Sequence, residues 1–341
     1  MWYANANHTY ITLFSKNHQL SNTQGTILKD LEENGSRVVV VTAKNKLLQL
    51  LTHELRNSVG FSVEKFDDPQ ASESLLRADL GVDSVEDLMG RAAPDIYDPD
   101  ISVYCLEAGL RLIERMQQQS DDPIVAYLST TDFVQHKYAP DEPEALDFYE
   151  KVDRILGDLD RIGCDVALTA DHGMKNKYDE NGEPYVCFLG SVLHSEDRVI
   201  LPITDPYVKH HGALGGYATV YVAGDVDNAK KQLENARDDR VSFEVYKARE
   251  ASELFKLPID RIGDLVVVAD EHTVLGISPE FHDFDQIPRL RTHGATSEQH
   301  VPLLSNFELT NDCLSWRLKD GTMRNFDLFD VLLNGKNICA A

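Results

Sequence analysis

The chain has 341 residues, of which 42% are hydrophobic and 26% are charged, so it resembles an ordinary globular protein with a core for one or two domains. Its formal net charge of −24 argues against a nucleic-acid partner, because phosphate backbones bind clusters of lysine and arginine. No apolar run approaches the ~20 residues that cross a bilayer, and the first residues lack the basic flank of a signal peptide. The 5 scattered cysteines, without a Cys-x-x-Cys spacing, indicate a reducing compartment. We therefore expect a cytoplasmic protein that binds neither nucleic acid nor membrane, and the sequence leaves a homodimer open.

Helices and strands alternate in the pattern of the first half of the chain. Residues 37–42 form a β-branched apolar run that is typical of a strand buried on both faces. Apolar residues then recur at helical spacing over residues 47–55. The same alternation predicts helices at residues 26–35, 98–119 and 142–162, and strands at residues 123–128 and 164–167. This order indicates an α/β protein built on a parallel sheet.

The pattern changes after residue 185. Strands predicted at residues 217–222 and 241–246 are each followed by a short helix, which indicates a compact α+β unit. Residues 264–269 then resemble a strand of the core sheet again, and a last helix is predicted near residues 327–333. We therefore predict an α/β core domain of residues 1–185 and 263–341, interrupted by an inserted α+β cap of residues 186–262.

Charged side chains follow several of the predicted strands. Asp132 and Asp171 come directly after two of them, as Lys44 does after the strand at residues 37–42. Ligands of open α/β sheets bind outside the carboxyl ends of the strands, so these turns belong at one edge. Asp132 and His136 are four residues apart and share one face if the turn is helical. Asp171 is followed by His172 in the run Ala-Asp-His-Gly-Met.

A fifth residue, His293 in the run Thr-His-Gly, completes a set of two aspartates and three histidines. Mixed carboxylate and imidazole ligands suit zinc or a similar divalent ion. Five ligands are one too many for a single tetrahedral zinc, which favours a site with two metals. An alternative is that these are unrelated polar loop residues, but it accounts poorly for five of them at strand ends.

The order Asp-xxx-His, Ala-Asp-His-Gly-Met and Thr-His-Gly resembles that of the alkaline phosphatase superfamily of two-metal phosphoryl-transfer enzymes. Within it, the chain is most similar to the phosphonoacetate hydrolase family, and residues 41–47, 200–207 and 210–215 share that likeness. The resemblance implies a parallel-sheet sandwich of the alkaline phosphatase type with a smaller cap. It also implies a role in phosphonate catabolism, the hydrolysis of phosphonoacetate to acetate and phosphate at two zinc ions.

The resemblance further assigns roles to single residues. It implies that Asp132, His136 and His293 hold one zinc and that Asp171 and His172 hold the other. Lys44 and Lys46 would bind the carboxylate of a small anionic substrate, and in so acidic a chain two lysines on one loop form a local anion site. The alternative for the lysines is a solvated position at the start of a helix. His210 and His211 either line the cap side of the site or belong to an ordinary loop.

The family pattern also contains an Asp ligand at the end of a first strand and a Thr nucleophile at the start of a helix, and no residue of this sequence matches either. We therefore expect the catalytic nucleophile to be absent from this chain and the second zinc site to be incomplete. Two alternatives stay open beside a zinc-dependent phosphonate hydrolase. One is a nucleotide pyrophosphatase/phosphodiesterase-type enzyme of the same superfamily, and the other is a metal-binding descendant with impaired catalysis.

Overall fold

The computed structural model describes residues 26–65, 80, 85–95, 97–202, 212–282, 289–310 and 323–336, with the backbone of residues 2–4 and 10–12. The helices are α1 (Ile27–Glu33), α2 (Asn45–Leu51), α3 (Val85–Met89), α4 (Ile101–Gln119), α5 (Phe133–Lys137), α6 (Pro143–Arg161), α7 (Leu189–Val192), α8 (Val226–Asn235), α9 (Ala248–Phe255) and α10 (Leu328–Asn334). The strands are β1 (Trp2–Ala4), β2 (Tyr10–Thr12), β3 (Arg37–Thr42), β4 (Val59–Ser62), β5 (Ile124–Ser129), β6 (Ala167–Thr169), β7 (Lys175–Asn176), β8 (Tyr185–Phe188), β9 (Arg198–Ile200), β10 (Tyr217–Tyr221), β11 (Phe243–Lys247), β12 (Leu265–Ala269), β13 (Thr273–Gly276), β14 (Arg291–Thr292) and β15 (Leu303–Ser305).

A three-stranded parallel sheet in the order β4-β3-β5 forms the core of the first half. The central strand β3 is buried on both faces, as its β-branched sequence predicts. Val39 and Val41 pack with α4 on one face, while Val38 and Val40 pack with Leu28 of α1 and other residues on the opposite face. Because β3 and β5 are parallel, the loops that carry Lys44 and Asp132 leave the sheet at the same edge.

The second half contains a four-stranded antiparallel sheet in the order β11-β12-β10-β9. Helix α8 contributes Leu233 to one face of this sheet, and α9 contributes Ala251 to the other. The sheet spans residues 198–269, so the predicted cap boundary at residue 262 falls inside it. The division of the chain into a core domain and a cap domain stays a prediction.

Two strands that were expected in the parallel sheet pair elsewhere. The strand predicted at residues 164–167 is the half-buried β6, which pairs antiparallel with β15. The strand predicted to return to the core at residues 264–269 is β12, which pairs antiparallel with β10 and β11. Leu265 and Val267 face one apolar cluster and Val266 faces another, so β12 is buried on both faces inside its own unit. Its composition therefore matches that of a core strand although its partners differ.

The other helices and strands predicted within the described ranges are present, with ends that differ by a few residues. In the portions of the chain that the structure describes, no helix has both the length and the hydropathy needed to cross a membrane. Mixed α and β content with parallel sheet segments is the architecture that the sequence pattern predicts.

Candidate metal centre

The short helix α5 places Asp132 and His136 on the same side of one turn. Asp132 precedes the helix, and its Oδ2 lies 3.1 Å from Nε2 of His136. His136 is buried, and its Nδ1 lies 2.6 Å from the carbonyl oxygen of Arg291. A carbonyl can only accept, so Nδ1 carries the proton and donates to it. The lone pair of Nε2 in neutral His136 then faces a carboxylate oxygen, and a cation between these two acceptors would satisfy both.

His172 and His293 complete the cluster around the same oxygen. Their Nε2 atoms lie 3.7 Å and 3.8 Å from Oδ2 of Asp132. The two imidazole rings are stacked, with centroids 3.4 Å apart and planes inclined by 10°. Nδ1 of His172 lies 3.0 Å from the carbonyl oxygen of Gly173, which leaves Nε2 free to coordinate. Three imidazole nitrogens thus converge on one carboxylate.

Asp171 stands at the outer side of this cluster. Its side chain is 87% exposed, and its Oδ2 lies 3.6 Å from Nε2 of His172. The structure therefore brings together all five residues that the sequence singled out. Among the described residues, the ligand atoms of Asp132, His172 and His293 all lie within 4.8 Å of one another. That group combines two residues expected at one zinc, Asp132 and His293, with one expected at the other, His172, and the assignment of ligands to separate metals stays a prediction.

The three distances to Oδ2 of Asp132 are near those between two ligands of one metal ion. Nitrogen and oxygen ligands that lie about 2.0–2.1 Å from a tetrahedral zinc are about 3.3 Å from each other. The three separations between Oδ2 of Asp132 and the Nε2 atoms, 3.1, 3.7 and 3.8 Å, bracket this value. The donor set is also of the mixed oxygen and nitrogen type that zinc accepts.

The protonation states of the cluster favour metal binding as well. Burial lowers the pKa of His293 to about 3, and the neighbouring His172 and His136 act in the same direction. Burial by itself would raise the pKa of Asp132, but the hydrogen bond and charge of His136 in its protonated form, with the charges of protonated His293 and of Lys44, hold that pKa well below its usual range. A neutral imidazole and an ionised carboxylate are the forms that coordinate metals.

Lys44 lies at the start of α2, directly after β3. Its side chain is exposed, and its positive charge is among those that lower the pKa of Asp132. Lys46 occupies the first turn of the same helix and is half-buried. The predicted roles of His210 and His211 concern residues outside the described ranges.

Other residues of the site carry no signal in the sequence. Arg291 accepts the hydrogen bond of His136 through its carbonyl, and its Nε donates to the carbonyl of Gln135 at 2.8 Å. Lys177 and Glu298 form a fully buried ion pair beside the two histidine loops, at 3.1 Å. Lysine and glutamate in loops ordinarily indicate a solvated surface, so no pattern marks this pair.

The loop that carries His293 packs backbone against backbone on the start of β10. The N–H of Gly216 donates to the carbonyl of His293 at 2.8 Å. A Cβ atom at Gly216 would lie 2.5 Å from the nitrogen of Ala295, and Gly294 has φ of 112°, a conformation that favours glycine. The two glycines therefore permit an approach that larger residues would prevent.

The chain is similar to known proteins in sequence and in fold. The chain matches the model of the type I phosphodiesterase / nucleotide pyrophosphatase family over residues 51–295. Phosphonoacetate hydrolase from Sinorhizobium meliloti 1021 has been solved in complex with phosphonoformate and with phosphonoacetate, with TM-scores of 0.79 and 0.80 to this chain. Each of these matches has 38% sequence identity and covers 96% of this chain and 77% of that chain.

A more distant likeness concerns the fold alone. Murine ectonucleotide pyrophosphatase / phosphodiesterase 5 is 18% identical, with a TM-score of 0.50, and the match covers 84% of this chain and 64% of that chain. The fold is thus of the phosphodiesterase and alkaline phosphatase type that the motifs predicted. The chain belongs to the type I phosphodiesterase / nucleotide pyrophosphatase family of the alkaline phosphatase superfamily, with phosphonoacetate hydrolase as a relative of solved structure.

Proposed function

We propose that this chain is a zinc-dependent hydrolase that cleaves the carbon–phosphorus bond of phosphonoacetate to give acetate and phosphate. The observation that carries the proposal is the convergence of His136, His172 and His293 on Asp132, whose pKa the charge of Lys44 helps to lower. Similarity to a phosphonoacetate hydrolase solved with phosphonoacetate bound supports the choice of substrate.

Asp132, His136 and His293 would hold one zinc through Oδ2 and the two Nε2 atoms, and Asp171 and His172 would hold the other. Hydrogen bonds from Nδ1 of His136 and of His172 to backbone carbonyls fix the tautomer that leaves each Nε2 with a lone pair. Bound zinc supplies Lewis acidity, which withdraws charge from phosphonate oxygens and lowers the pKa of an attacking hydroxyl group. In the overall reaction, water supplies an oxygen to phosphorus and a proton to the departing CH₂ carbon.

The positive charge of Lys44 would offset the repulsion between this acidic chain and an anionic substrate. With a net charge of −24, the protein repels an anionic substrate at long range. An exposed ammonium whose charge acts on Asp132 would reverse that field locally. Phosphonoacetate carries a carboxylate in addition to its phosphonate, and a lysine is an adequate point-charge partner for it. Lys46, two residues further along the chain, would bind the same carboxylate.

The test is release of phosphate from phosphonoacetate by the zinc-loaded protein, compared with release from methylphosphonate, which lacks the carboxylate. Losing a charged hydrogen bond costs about 1.5–3 kcal/mol, so Lys44→Met should lower kcat/KM for phosphonoacetate about 10- to 100-fold. Lys46→Met should act in the same direction. Lys256→Met is the matched control, because Lys256 lies at the end of α9 in the antiparallel unit.

The alternatives predict different results. Hydrolysis of a nucleotide phosphodiester that is unaffected by Lys44→Met would identify a nucleotide phosphodiesterase instead. About one zinc per chain with no turnover of either substrate would identify a metal-binding protein with impaired catalysis.

A further inference from the structure

The ion pair of Lys177 and Glu298 is buried, whereas most other lysines and glutamates of the chain meet solvent. The side chains are 0% and 1% exposed, and Nζ of Lys177 lies 3.1 Å from Oε1 of Glu298. Burial lowers the pKa of Lys177, and the charge of Glu298 opposes that effect. Nζ donates a further hydrogen bond to the carbonyl of Asp270 at 3.3 Å. The pair is thus desolvated and held by more than one contact.

Glu298 is attached to both histidine loops of the metal cluster. Its Oε2 accepts the N–H of Ala295 at 2.7 Å, two residues beyond His293. Its backbone carbonyl accepts the N–H of Gly173 at 2.6 Å, directly after His172. A single residue therefore links these two loops. The imidazole rings at their ends are the stacked pair whose centroids are 3.4 Å apart.

Lys177 anchors this arrangement in the sheet. Its N–H donates to the carbonyl of Leu290 at 2.9 Å, and its own carbonyl accepts the N–H of Tyr185 at 3.3 Å. Lys177 directly follows β7, which pairs with β14, and β14 ends at the residue before His293. The backbone of Lys177 is thus fixed independently of its side chain, and the ammonium holds Oε1 of Glu298 from that fixed point.

A stabilising role accounts poorly for such a pair. Removing two charges from water is costly, and replacing a buried ion pair by apolar residues of similar volume is often neutral or stabilising. A positioning role accounts for it better, because groups that orient metal ligands commonly change metal affinity about 10- to 100-fold when they are removed.

We propose that the buried Lys177–Glu298 ion pair is a positioning device that fixes the His172 and His293 loops relative to each other and so sets the affinity of the cluster for its metal. This inference rests on the metal binding in the proposed function, but not on the identity of the substrate. Glu298 is joined to the two loops through the backbone groups of Ala295 and Gly173, whereas the charge of Lys177 also lowers the pKa of His293.

The variants Glu298→Gln and Lys177→Met remove one charge each at nearly constant size. Co²⁺ titrations followed by d–d absorption, and competition of Zn²⁺ with a chelator, should show affinities about 10- to 100-fold weaker than in the wild type. The Co²⁺ spectrum should also change, because the angle between the two imidazoles changes.

A matched control separates positioning from loss of stability. Leu233→Ala truncates a fully buried residue in the antiparallel unit, away from the histidine loops. If metal affinity follows the thermal midpoint alone, Leu233→Ala will weaken metal binding as much as the two variants, and the proposal is overturned. If Leu233→Ala lowers the midpoint and leaves metal affinity and the Co²⁺ spectrum unchanged, the proposal is supported.

Nitrogen-15 spectra of the histidine rings in the metal-free protein give a further readout. The signals of His172 and His293 should move in Glu298→Gln, while those of His282, which hydrogen-bonds to Gly212 and Ile277 instead, should not. Unchanged signals, or metal affinities within about twofold of the wild type, contradict the proposal. If the wild type binds zinc and fails to hydrolyse phosphonoacetate, the proposed function fails while the comparison of affinities remains decisive.

Discussion

Without metal, the protein should lose stability as the pH falls, and His293 should be a main cause. Burial lowers the pKa of this imidazole from 6.5 to about 3. Between these two values the unfolded chain binds a proton at this position and the folded chain does not. A group with a lowered pKa in the folded state contributes its full stability above pH 6.5 and loses it as the pH falls toward 3.

The size of the effect follows from the shift. The side chain is 18% exposed, so solvent screens it only partly. A pH of 5 lies 1.5 units below 6.5, the pKa of the histidine in the unfolded chain. At about 1.36 kcal/mol per unit, the free energy of unfolding is then lower by about 2 kcal/mol. Nearly all of this loss arises between pH 7 and pH 5. It is a large fraction of the ~5–15 kcal/mol that stabilises a typical domain.

Urea unfolding of the chelator-treated protein at pH 7 and pH 5 measures the loss directly. The variant His293→Asn has no proton to bind, so its free energy of unfolding should fall by about 2 kcal/mol less than that of the wild type over this range. His272→Asn is the control, because that side chain is 64% exposed, and it should show the wild-type loss. An equal loss in His293→Asn and the wild type would refute the reasoning.

Three other changes test separate parts of the structure. Asp132→Asn should lower zinc affinity by at least about tenfold in competition titrations, because it removes the charge on which the histidines converge; an unchanged affinity would exclude this carboxylate as a ligand. Gly60→Ala should lower stability by more than about 2 kcal/mol in thermal unfolding, because its Cβ would lie 1.9 Å from the carbonyl oxygen of Val40, and a smaller loss would mean that the sheet adjusts freely. Thr26→Ala should cost about 1 kcal/mol, because Thr26 caps α1 by accepting the N–H of Lys29 at 3.2 Å; no change in urea unfolding would show that the cap contributes nothing.

The metal cluster could be predicted from sequence because each of its residues follows a local rule. A spacing of four residues brought Asp132 and His136 to one side of a helical turn. His172 and the loop of Lys44 follow apolar strands, and loops at strand ends are where α/β sheets bind ligands. The separations between ligands could not be predicted, because they depend on how the distant residue His293 packs against His172.

Strand pairing was the part of the fold that sequence could not decide. β3 and β12 are both short, β-branched and buried on both faces, yet one pairs in parallel and the other antiparallel. An apolar run reports how deeply a strand is buried and not which neighbours bury it. The same limit explains why the sequence does not predict the ion pair of Lys177 and Glu298, since their burial results from contacts between residues far apart in the chain.

The contact between Gly216 and the His293 loop has a consequence for exchanging parts between relatives. Strand β10 starts directly after Gly216, whose backbone contacts that of His293. The antiparallel sheet and the loop of the metal cluster therefore touch through backbone atoms alone. A transplanted sheet would fit only if a glycine directly preceded the strand equivalent to β10 and the recipient kept Gly294. The antiparallel sheet and the loop of His293 therefore form one module for protein engineering, and they should be exchanged together.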